Sequence, residues 1–199
     1  MLKVLFIHGL ASSGAYKTAD TLRSLLRPCE VISPDVPVEP QAAMALLRGI
    51  VEEDGPDLVV GLSLGGFMAQ KLRGVRKILI NPDLHPHMLL STKIGEMEYL
   101  SPRRDGARSF FITEDICRDY KALEDVQYDG LTQEEIDLTD GLFADADEMV
   151  RCGEEFAARY PGRAHAYPGR HLPTFPEIKA HLLPLVRQHF KIENNLISK

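Results

Sequence analysis

The sequence predicts an α/β protein built on a small, mostly parallel, doubly wound sheet. Short apolar runs typical of buried strands alternate with amphipathic helical segments four times up to Ile80. Several of these strands run into loops of glycine and small residues, which is where open α/β sheets bind ligands. The length of 199 residues and the hydrophobic share of 44% fit one domain, residues 1–199, with a sizeable core.

Apolar spacing and chain-breaking residues define the elements of the first half. A helical pattern over about 15–27 ends at Pro28, and three prolines between 34 and 40 predict a rigid loop before the next helix. In chain order we expect a strand at 3–7, a helix at 15–27, a strand at 29–33, a helix over about 42–50, a strand at 58–60, a helix including 67–72 and a strand at 75–80.

The alternation lapses over about 84–137, which we interpret as a helical insertion before the strand that carries the acid. Two helices are expected there, one over 113–123 and one starting at Thr132, where Glu135 would complete a capping box. Because the insertion falls between strands, it could fold over the site as a partial lid. The pattern then predicts a strand at 138–145, a helix at 148–160, a strand at 163–167, a closing helix that Pro184 kinks and a frayed tail at 191–199.

Composition and charge exclude several classes of partner. The chain has 23 basic and 29 acidic residues and a formal charge of -6, with no basic run that could follow a phosphate backbone, so we expect no nucleic-acid partner. Apolar stretches are too short for a membrane span or a secretory signal, which predicts a cytoplasmic protein without a membrane partner. The oligomeric state is not predicted. Three cysteines without metal-site spacing are interpreted as reduced thiols: Cys29, Cys117 and Cys152.

The central motif is the turn Gly61-Leu62-Ser63-Leu64-Gly65, which joins an apolar strand to a helix. A serine between two glycines at such a turn fits the G-x-S-x-G nucleophile elbow of α/β-hydrolases. Glycine is needed because side chains at 61 and 65 would collide with neighbouring backbone. Ser63 would then be an exposed nucleophile, and the Leu64 N–H would point at an oxyanion formed beside it.

A serine hydroxyl needs a base and an acid, and this fold supplies them in the chain order serine, acid, histidine. His171, in the loop after the last strand, is the predicted base. Asp147 is the preferred acid because a helix and a strand separate it from His171, with Asp145 as the alternative and Asp115 behind both. The remaining histidines of the closing elements are expected to have structural roles: His165, His181 and His189.

The loop after the first strand is predicted to complete the oxyanion hole. Leu10 N–H is the candidate second donor, because hydrolases of this fold draw one donor from the strand-to-helix loop at this place. His8 comes too early in the chain for a catalytic base and is expected to shape the loop. His85 and His87 could form a His-x-His metal pair, yet Pro86 between them favours a loop rim, so no metal site is predicted.

Acidic residues are concentrated in part of the insertion. Between 114 and 140 there are ten acidic residues against Arg118 and Lys121, a local charge of 2 − 10 = −8. Overhanging the pocket, this segment would disfavour polyanionic substrates, and otherwise it is a solvated acidic face.

Four segments together resemble the small YqiA-type esterases of the α/β-hydrolase superfamily: His8-Gly9, Gly61–Phe67, Ile80-Asn81-Pro82 and Gly169-Arg170-His171. By that similarity Ser63 is the nucleophile and His171 the base. The segment around Asp147 resembles the G-x-x-D-x-x-V turn of other superfamily members, with alanine in place of the glycine.

The residues and the resemblance lead to one function and two alternatives. We expect a serine hydrolase that cleaves a small carboxylic ester through an acyl-enzyme, with a small-molecule ester as its partner and without a cofactor or metal. A thioesterase or amidase with the same triad remains open, as does a binding or regulatory protein that keeps the scaffold without turnover.

Overall fold

A computed structural model describes residues 1–190, and the tail predicted at 191–199 lies outside these residues. Six parallel strands form the main sheet in the order β2-β1-β3-β4-β7-β8, and the remaining two pair as an antiparallel hairpin. In chain order the strands are β1 (Lys3–Ile7), β2 (Glu30–Ile32), β3 (Leu58–Leu62), β4 (Lys77–Ile80), β5 (Gly95–Glu98), β6 (Ser109–Ile112), β7 (Thr139–Ala144) and β8 (Ala164–Tyr167).

Helices cover both faces of the main sheet and bury an apolar layer on each. In chain order they are α1 (Lys17–Leu25), α2 (Pro40–Asp54), α3 (Leu64–Gln70), α4 (Pro86–Ser91), α5 (Glu114–Asp125), α6 (Gln133–Asp137), α7 (Gly153–Arg159), α8 (Phe175–Glu177) and α9 (Leu183–Phe190), with a π-helical segment, Ile178–Leu182, between the last two. The predicted doubly wound sheet is therefore observed, and each buried strand contributes side chains to both layers.

The insertion holds more than the two helices that its sequence indicated. Besides α5 and α6 it contains the short helix α4 and the β5–β6 hairpin; β6 includes a short apolar run, whereas β5 does not. The turn after β5 is bonded to the loop after β1, because Leu100 N–H donates to the Ala11 carbonyl at 2.7 Å. The insertion thus packs on the loop that sequence analysis assigned to the oxyanion hole.

Glu135 has a different role from the predicted capping box. The Thr132 hydroxyl does accept from the Glu135 N–H at 3.3 Å. The Glu135 carboxylate, however, accepts from the Gly74 N–H at 2.6 Å and from Lys77 Nζ at 2.7 Å. Lys77 lies fully buried in β4, where an unpaired ammonium would be costly, so Glu135 compensates its charge instead of reaching back to the helix start.

Two predicted helices have different ends in the structure. The helix expected at 148–160 begins at Gly153, because the preceding residues form a turn around Asp147. In the closing helix, Leu183 N–H bonds the Ile178 carbonyl five residues back, which gives one wide turn just before Pro184. The predicted irregularity at Pro184 therefore takes the form of a π-helical turn.

Candidate active site

Ser63 occupies the sharp turn between β3 and α3. Its φ of 55° and ψ of −121° are strained for a residue other than glycine. The turn is tight enough that a Cβ at position 61 would lie 2.4 Å from the Gly65 carbonyl oxygen. Backbone bonds anchor the serine on the β4 side, since Ser63 N–H donates to Ile80 O at 2.9 Å and Asp83 N–H donates to Ser63 O at 3.2 Å. The sequence folds this way because only glycine fits on both sides of the serine.

A continuous chain of hydrogen bonds links Ser63, His171 and Asp147. His171 Nε2 lies 2.9 Å from Ser63 Oγ, and His171 Nδ1 lies 2.7 Å from Asp147 Oδ2. All three residues are buried, with 9% or less of their surface exposed. An imidazole between a hydroxyl and a carboxylate can take a proton at Nε2 while the carboxylate holds its tautomer.

The carboxylate of Asp147 is fixed by its own loop. Its Oδ1 accepts from Met149 N–H at 2.8 Å and from Val150 N–H at 2.9 Å, leaving Oδ2 for His171. The residues directly after Asp147 form a turn around its carboxylate, and α7 begins at Gly153.

The other two candidate acids lie elsewhere. Asp145 is exposed, and its Oδ1 accepts from Gly169 N–H at 3.1 Å, so it ties the two loops together without contacting the imidazole. Asp115 is exposed on α5 and pairs with Arg118. Among the three candidates, Asp147 is the one that is hydrogen-bonded to His171.

The loop after β1 lies directly beside Ser63. A Cβ added to Gly9 would be 3.3 Å from Ser63 Cβ, so the chain passes close to the serine and a side chain there would fit only tightly. Within the described residues, neither Leu10 N–H nor Leu64 N–H donates a hydrogen bond to the protein. Two such backbone donors on either side of a serine could bind an oxyanion.

His8 holds this loop in place. Its Nδ1 lies 2.8 Å from the Gly9 carbonyl, and its Nε2 accepts from Val36 N–H at 3.0 Å. One ring nitrogen therefore donates and the other accepts, which is the neutral tautomer. Burial lowers the pKa of His8 and favours the same state. Both nitrogens are engaged away from Ser63, as expected for a residue that shapes the loop.

A cavity of about 240 Å³ opens onto Ser63 and His171. Its walls are mostly apolar and come from the loop after β1, the insertion and the loops on either side of α7 and β8; the larger apolar residues are Leu10, Leu62, Leu89, Met97, Leu100, Met149 and Leu172. Leu100, Met149 and Leu172 are exposed and line its mouth. Lys93 supplies a positive charge. Sequence reasoning named Leu10 and Leu62 but not the other wall residues, because their place in the wall depends on how the insertion and the loops pack around Ser63.

The acidic segment and the histidine pair do not line this cavity. No acidic residue between 114 and 140 is among its lining residues, so the segment does not overhang the pocket. His85 Nε2 lies 2.6 Å from Glu155 Oε2, and the side chain of His87 contacts the buried Glu124. These histidines pair with carboxylates, and within residues 1–190 no cluster of side chains could hold a metal ion.

Residues 3–152 match the family model described as an uncharacterised protein family, UPF0227. The chain belongs to the UPF0227 family. This finding confirms the resemblance to the YqiA-type family. A UPF0227 protein from Shewanella loihica is 28% identical over 110 aligned residues, which cover 48% of this chain and 58% of that relative. The chain thus spans little more than half the length of this curated UPF0227 relative.

Solved structures show the fold of this UPF0227 chain. A carboxylesterase structure from the thaumarchaeon Nitrososphaera gargenis has a TM-score of 0.57 at 15% identity and covers 96% of this chain and 91% of its own. A metagenome-derived lipolytic enzyme has a TM-score of 0.62 at 14% identity, with 94% of each chain covered. For a methylesterase from Arabidopsis the TM-score is 0.59 at 12% identity, and the coverage is 96% and 99%. The predicted α/β-hydrolase fold is confirmed. Within the described part of the chain, the helices are too short or too polar to cross a bilayer.

Proposed function

We propose that this UPF0227 protein is a serine hydrolase that cleaves small carboxylic esters through an acyl-enzyme. The observation that supports this function best is the relay of hydrogen bonds from Asp147 Oδ2 through His171 to Ser63 Oγ, at 2.7 Å and 2.9 Å. Its order along the chain and its position on a strained turn are those of a nucleophile with its base and acid. The mainly apolar cavity beside the hydroxyl supports a small organic substrate.

The first half of the reaction acylates Ser63. The hydroxyl oxygen attacks the ester carbonyl while its proton passes to His171 Nε2, and the electron pair of the C=O bond moves onto the oxygen. Asp147 stabilises the resulting imidazolium through the Nδ1–H. The tetrahedral intermediate then collapses, the C–O bond to the alcohol breaks, and His171 returns the proton to the leaving alkoxide oxygen.

The second half releases the acid. A water molecule gives its proton to His171 Nε2 as it attacks the acyl carbonyl, and the second tetrahedral intermediate expels the Ser63 oxygen, which regains the proton. In both halves, Leu10 N–H and Leu64 N–H would bind the negative oxygen, a contribution of about 3 kcal/mol per donor in related sites. Because these donors are backbone groups, their position depends on the turn and on the loop held by His8.

The size of the cavity favours a small substrate. Its volume of about 240 Å³ lies just below the range of about 300–1,000 Å³ that is usual for pockets binding drug-sized ligands. Esters with a short acyl chain and a compact alcohol fit this space. Thioesters and amides would be cleaved by the same chemistry, so their turnover is measured beside that of the esters.

The cytoplasmic location and the expected absence of nucleic-acid and membrane partners stay predictions of the sequence.

The test combines a covalent probe with turnover. We expect a fluorophosphonate probe to label the wild-type protein and not Ser63→Ala, and we expect p-nitrophenyl acetate and butyrate to be hydrolysed with a loss of at least about 1,000-fold in Ser63→Ala. Ser12→Ala is the matched control, since Ser12 is the other serine among the residues that line the cavity and its loss should not prevent labelling. Equal labelling of wild type and Ser63→Ala, or hydrolysis that does not depend on Ser63, would contradict the proposal.

A further inference from the structure

The side chain of Asn81 connects two of the three segments that carry the candidate triad, those of the acid and the base. Asn81 follows β4, and its Nδ2 donates to the carbonyl oxygen of His171 at 2.8 Å. Its Oδ1 accepts from Ala144 N–H at 2.7 Å, at the end of the strand that leads to Asp147. One buried amide thus bonds the backbone of both the acid loop and the base loop.

A second contact holds the base loop through Tyr167. Asn81 Nδ2 lies 3.0 Å from Tyr167 Oη, and that hydroxyl donates to the Arg170 carbonyl at 3.1 Å. Burial raises the pKa of Tyr167 to about 12, so its hydroxyl keeps the proton that it donates. The residue directly before His171 is therefore bonded to the same network.

The backbone of Asn81 is also unusual. Its φ is 42°, in the left-handed region that asparagine tolerates better than most residues. Its N–H donates to Leu142 O at 2.9 Å, and the preceding carbonyl, that of Ile80, accepts from Ser63 N–H. The nucleophile is thus bonded to the residue next to Asn81. The orientation of the Asn81 amide is fixed as well. Exchanging its oxygen and nitrogen would place the NH2 group against the Ala144 N–H, so that two donors would face each other.

We propose that Asn81 is a positioning residue that sets His171 and Asp147 in register with Ser63. This inference rests on the proposed hydrolase function. It assigns a role to the Asn-Pro strand end beyond that of a turn. The hydrogen bond from Asn81 to the His171 carbonyl and the hydrogen bond from Tyr167 to the Arg170 carbonyl hold the backbone from which the imidazole projects. The hydrogen bond from Ala144 N–H to Asn81 Oδ1 holds the backbone at the start of the acid loop.

Loss of this amide should impair turnover more than substrate binding. Apart from His171, no residue that lines the cavity is hydrogen-bonded to Asn81, whereas the proton relay depends on the distances of 2.7 Å and 2.9 Å at His171. A displacement of about 1 Å of catalytic groups can cost about 100-fold in rate. We therefore expect Asn81→Gly, which tolerates the same φ, to lower kcat about 100-fold and to change KM less than about threefold.

Tyr167→Phe and Tyr160→Phe form a matched pair of variants. Tyr160 is also fully buried, and its hydroxyl accepts from the amide of Gln70 at 3.2 Å, away from the candidate site. Both changes remove a buried hydroxyl that is bonded to an amide, so their costs in stability should be similar. We expect Tyr167→Phe to lower kcat about three- to tenfold through the base loop. Tyr160→Phe should leave kcat within about twofold of wild type at temperatures where both are folded.

The decisive experiment measures kcat and KM of these variants together with the low-field proton resonance of His171 Nδ1–H, assigned with His171→Gln. We expect Asn81→Gly to lose or shift this resonance and Tyr160→Phe to keep it. A wild-type resonance and a wild-type kcat in Asn81→Gly would overturn the inference, and so would equal kcat losses in Tyr167→Phe and Tyr160→Phe. An absence of Ser63-dependent hydrolysis in wild type refutes the proposed function, and the resonance then decides the role of Asn81 by itself.

Discussion

Gly65 packs against the carbonyl group of Ile7 so closely that a Cβ at position 65 would lie 2.2 Å from the Ile7 oxygen. The His8 oxygen would be 2.5 Å away. Both carbonyls belong to the chain that leads into Leu10, whereas Gly65 lies in the first turn of α3. This close approach places the segment that leads to Leu10 next to the turn that carries Leu64.

We expect Gly65→Ala to separate these backbones and to disrupt both stability and activity. Overpacking against main-chain atoms that cannot rotate away should cost about 3 kcal/mol or more in the free energy of unfolding. Gly49→Ala is the control, because nothing lies within 4 Å of a Cβ there and position 49 is inside α2. That variant should be stabilised by roughly 0.5–1 kcal/mol. Urea unfolding of both proteins checks the prediction, and equal stabilities would contradict it.

Asp147→Asn should reduce kcat strongly while leaving the protein folded. In the variant the NH2 group would take the place of Oδ2, so it could not accept from the imidazole N–H, and it carries no charge that would stabilise an imidazolium. Such a change costs about 10,000-fold in a serine protease triad. Asp145→Asn keeps an oxygen to accept from Gly169 N–H and should retain kcat within about threefold. Steady-state hydrolysis of p-nitrophenyl butyrate compares the two. Greater loss in Asp145→Asn than in Asp147→Asn would show that the acid is assigned wrongly.

The charge of Lys93 should affect which short esters are cleaved fastest. We expect Lys93→Glu to lower kcat/KM for mono-p-nitrophenyl glutarate about fivefold relative to p-nitrophenyl valerate, because the charge near the cavity is reversed and exposed pairs contribute up to about 1 kcal/mol. Lys179→Glu changes the net charge equally at an exposed position that does not line the cavity. It should leave the ratio unchanged. A common loss for both esters in Lys93→Glu would refute an electrostatic effect on the substrate.

Asp140 should contribute to stability in a pH-dependent manner. Burial alone favours its neutral form, but the contact of its carboxylate with His189 at 2.6 Å, the hydrogen bond with His165 and the nearby Arg163 outweigh burial and lower the pKa of Asp140. A lowered pKa means that the stabilisation is present above the unfolded pKa of about 3.9 and is lost as the pH falls through the lower folded value.

Urea midpoints measured from about pH 5 to about pH 2.5 check this prediction, since the range spans the pKa of an unfolded aspartate. Wild type should lose stability more steeply than Asp140→Asn over the acid part of the range. Glu52→Gln, at an exposed position of α2, should follow the wild-type curve. Parallel curves for wild type and Asp140→Asn would refute the linkage.

Sequence patterns predicted the sheet and the elbow because both depend on local rules. Buried parallel strands are continuous apolar runs, and a serine between glycines after such a run has few structural explanations. Asp147 was favoured by topology, because one helix and one strand separate it from His171. With that spacing the two residues follow neighbouring parallel strands, β7 and β8. The hydrogen bond of 2.7 Å between them agrees with that reasoning.

Features that depend on distant partners were not predictable from local patterns. Lys77 lies among apolar residues in β4. Its ammonium group meets Glu135, 58 residues further along the chain, only in the folded protein. The same holds for Asn81, whose strand-end motif was recognised while its bonds to residues 144 and 171 were not. The local pattern also predicted a helix from 148, whereas the residues after Asp147 form a turn and α7 begins at Gly153.

The hydrogen bond between Leu100 N–H and the Ala11 carbonyl makes the insertion part of the site's framework. Exchanging residues 84–137 for the cap of another hydrolase, in order to redesign substrate range, would remove the only described donor to that carbonyl. Such a chimera must supply a replacement donor at the same place, and a graft that ignores it will loosen the loop on which the Leu10 N–H is carried.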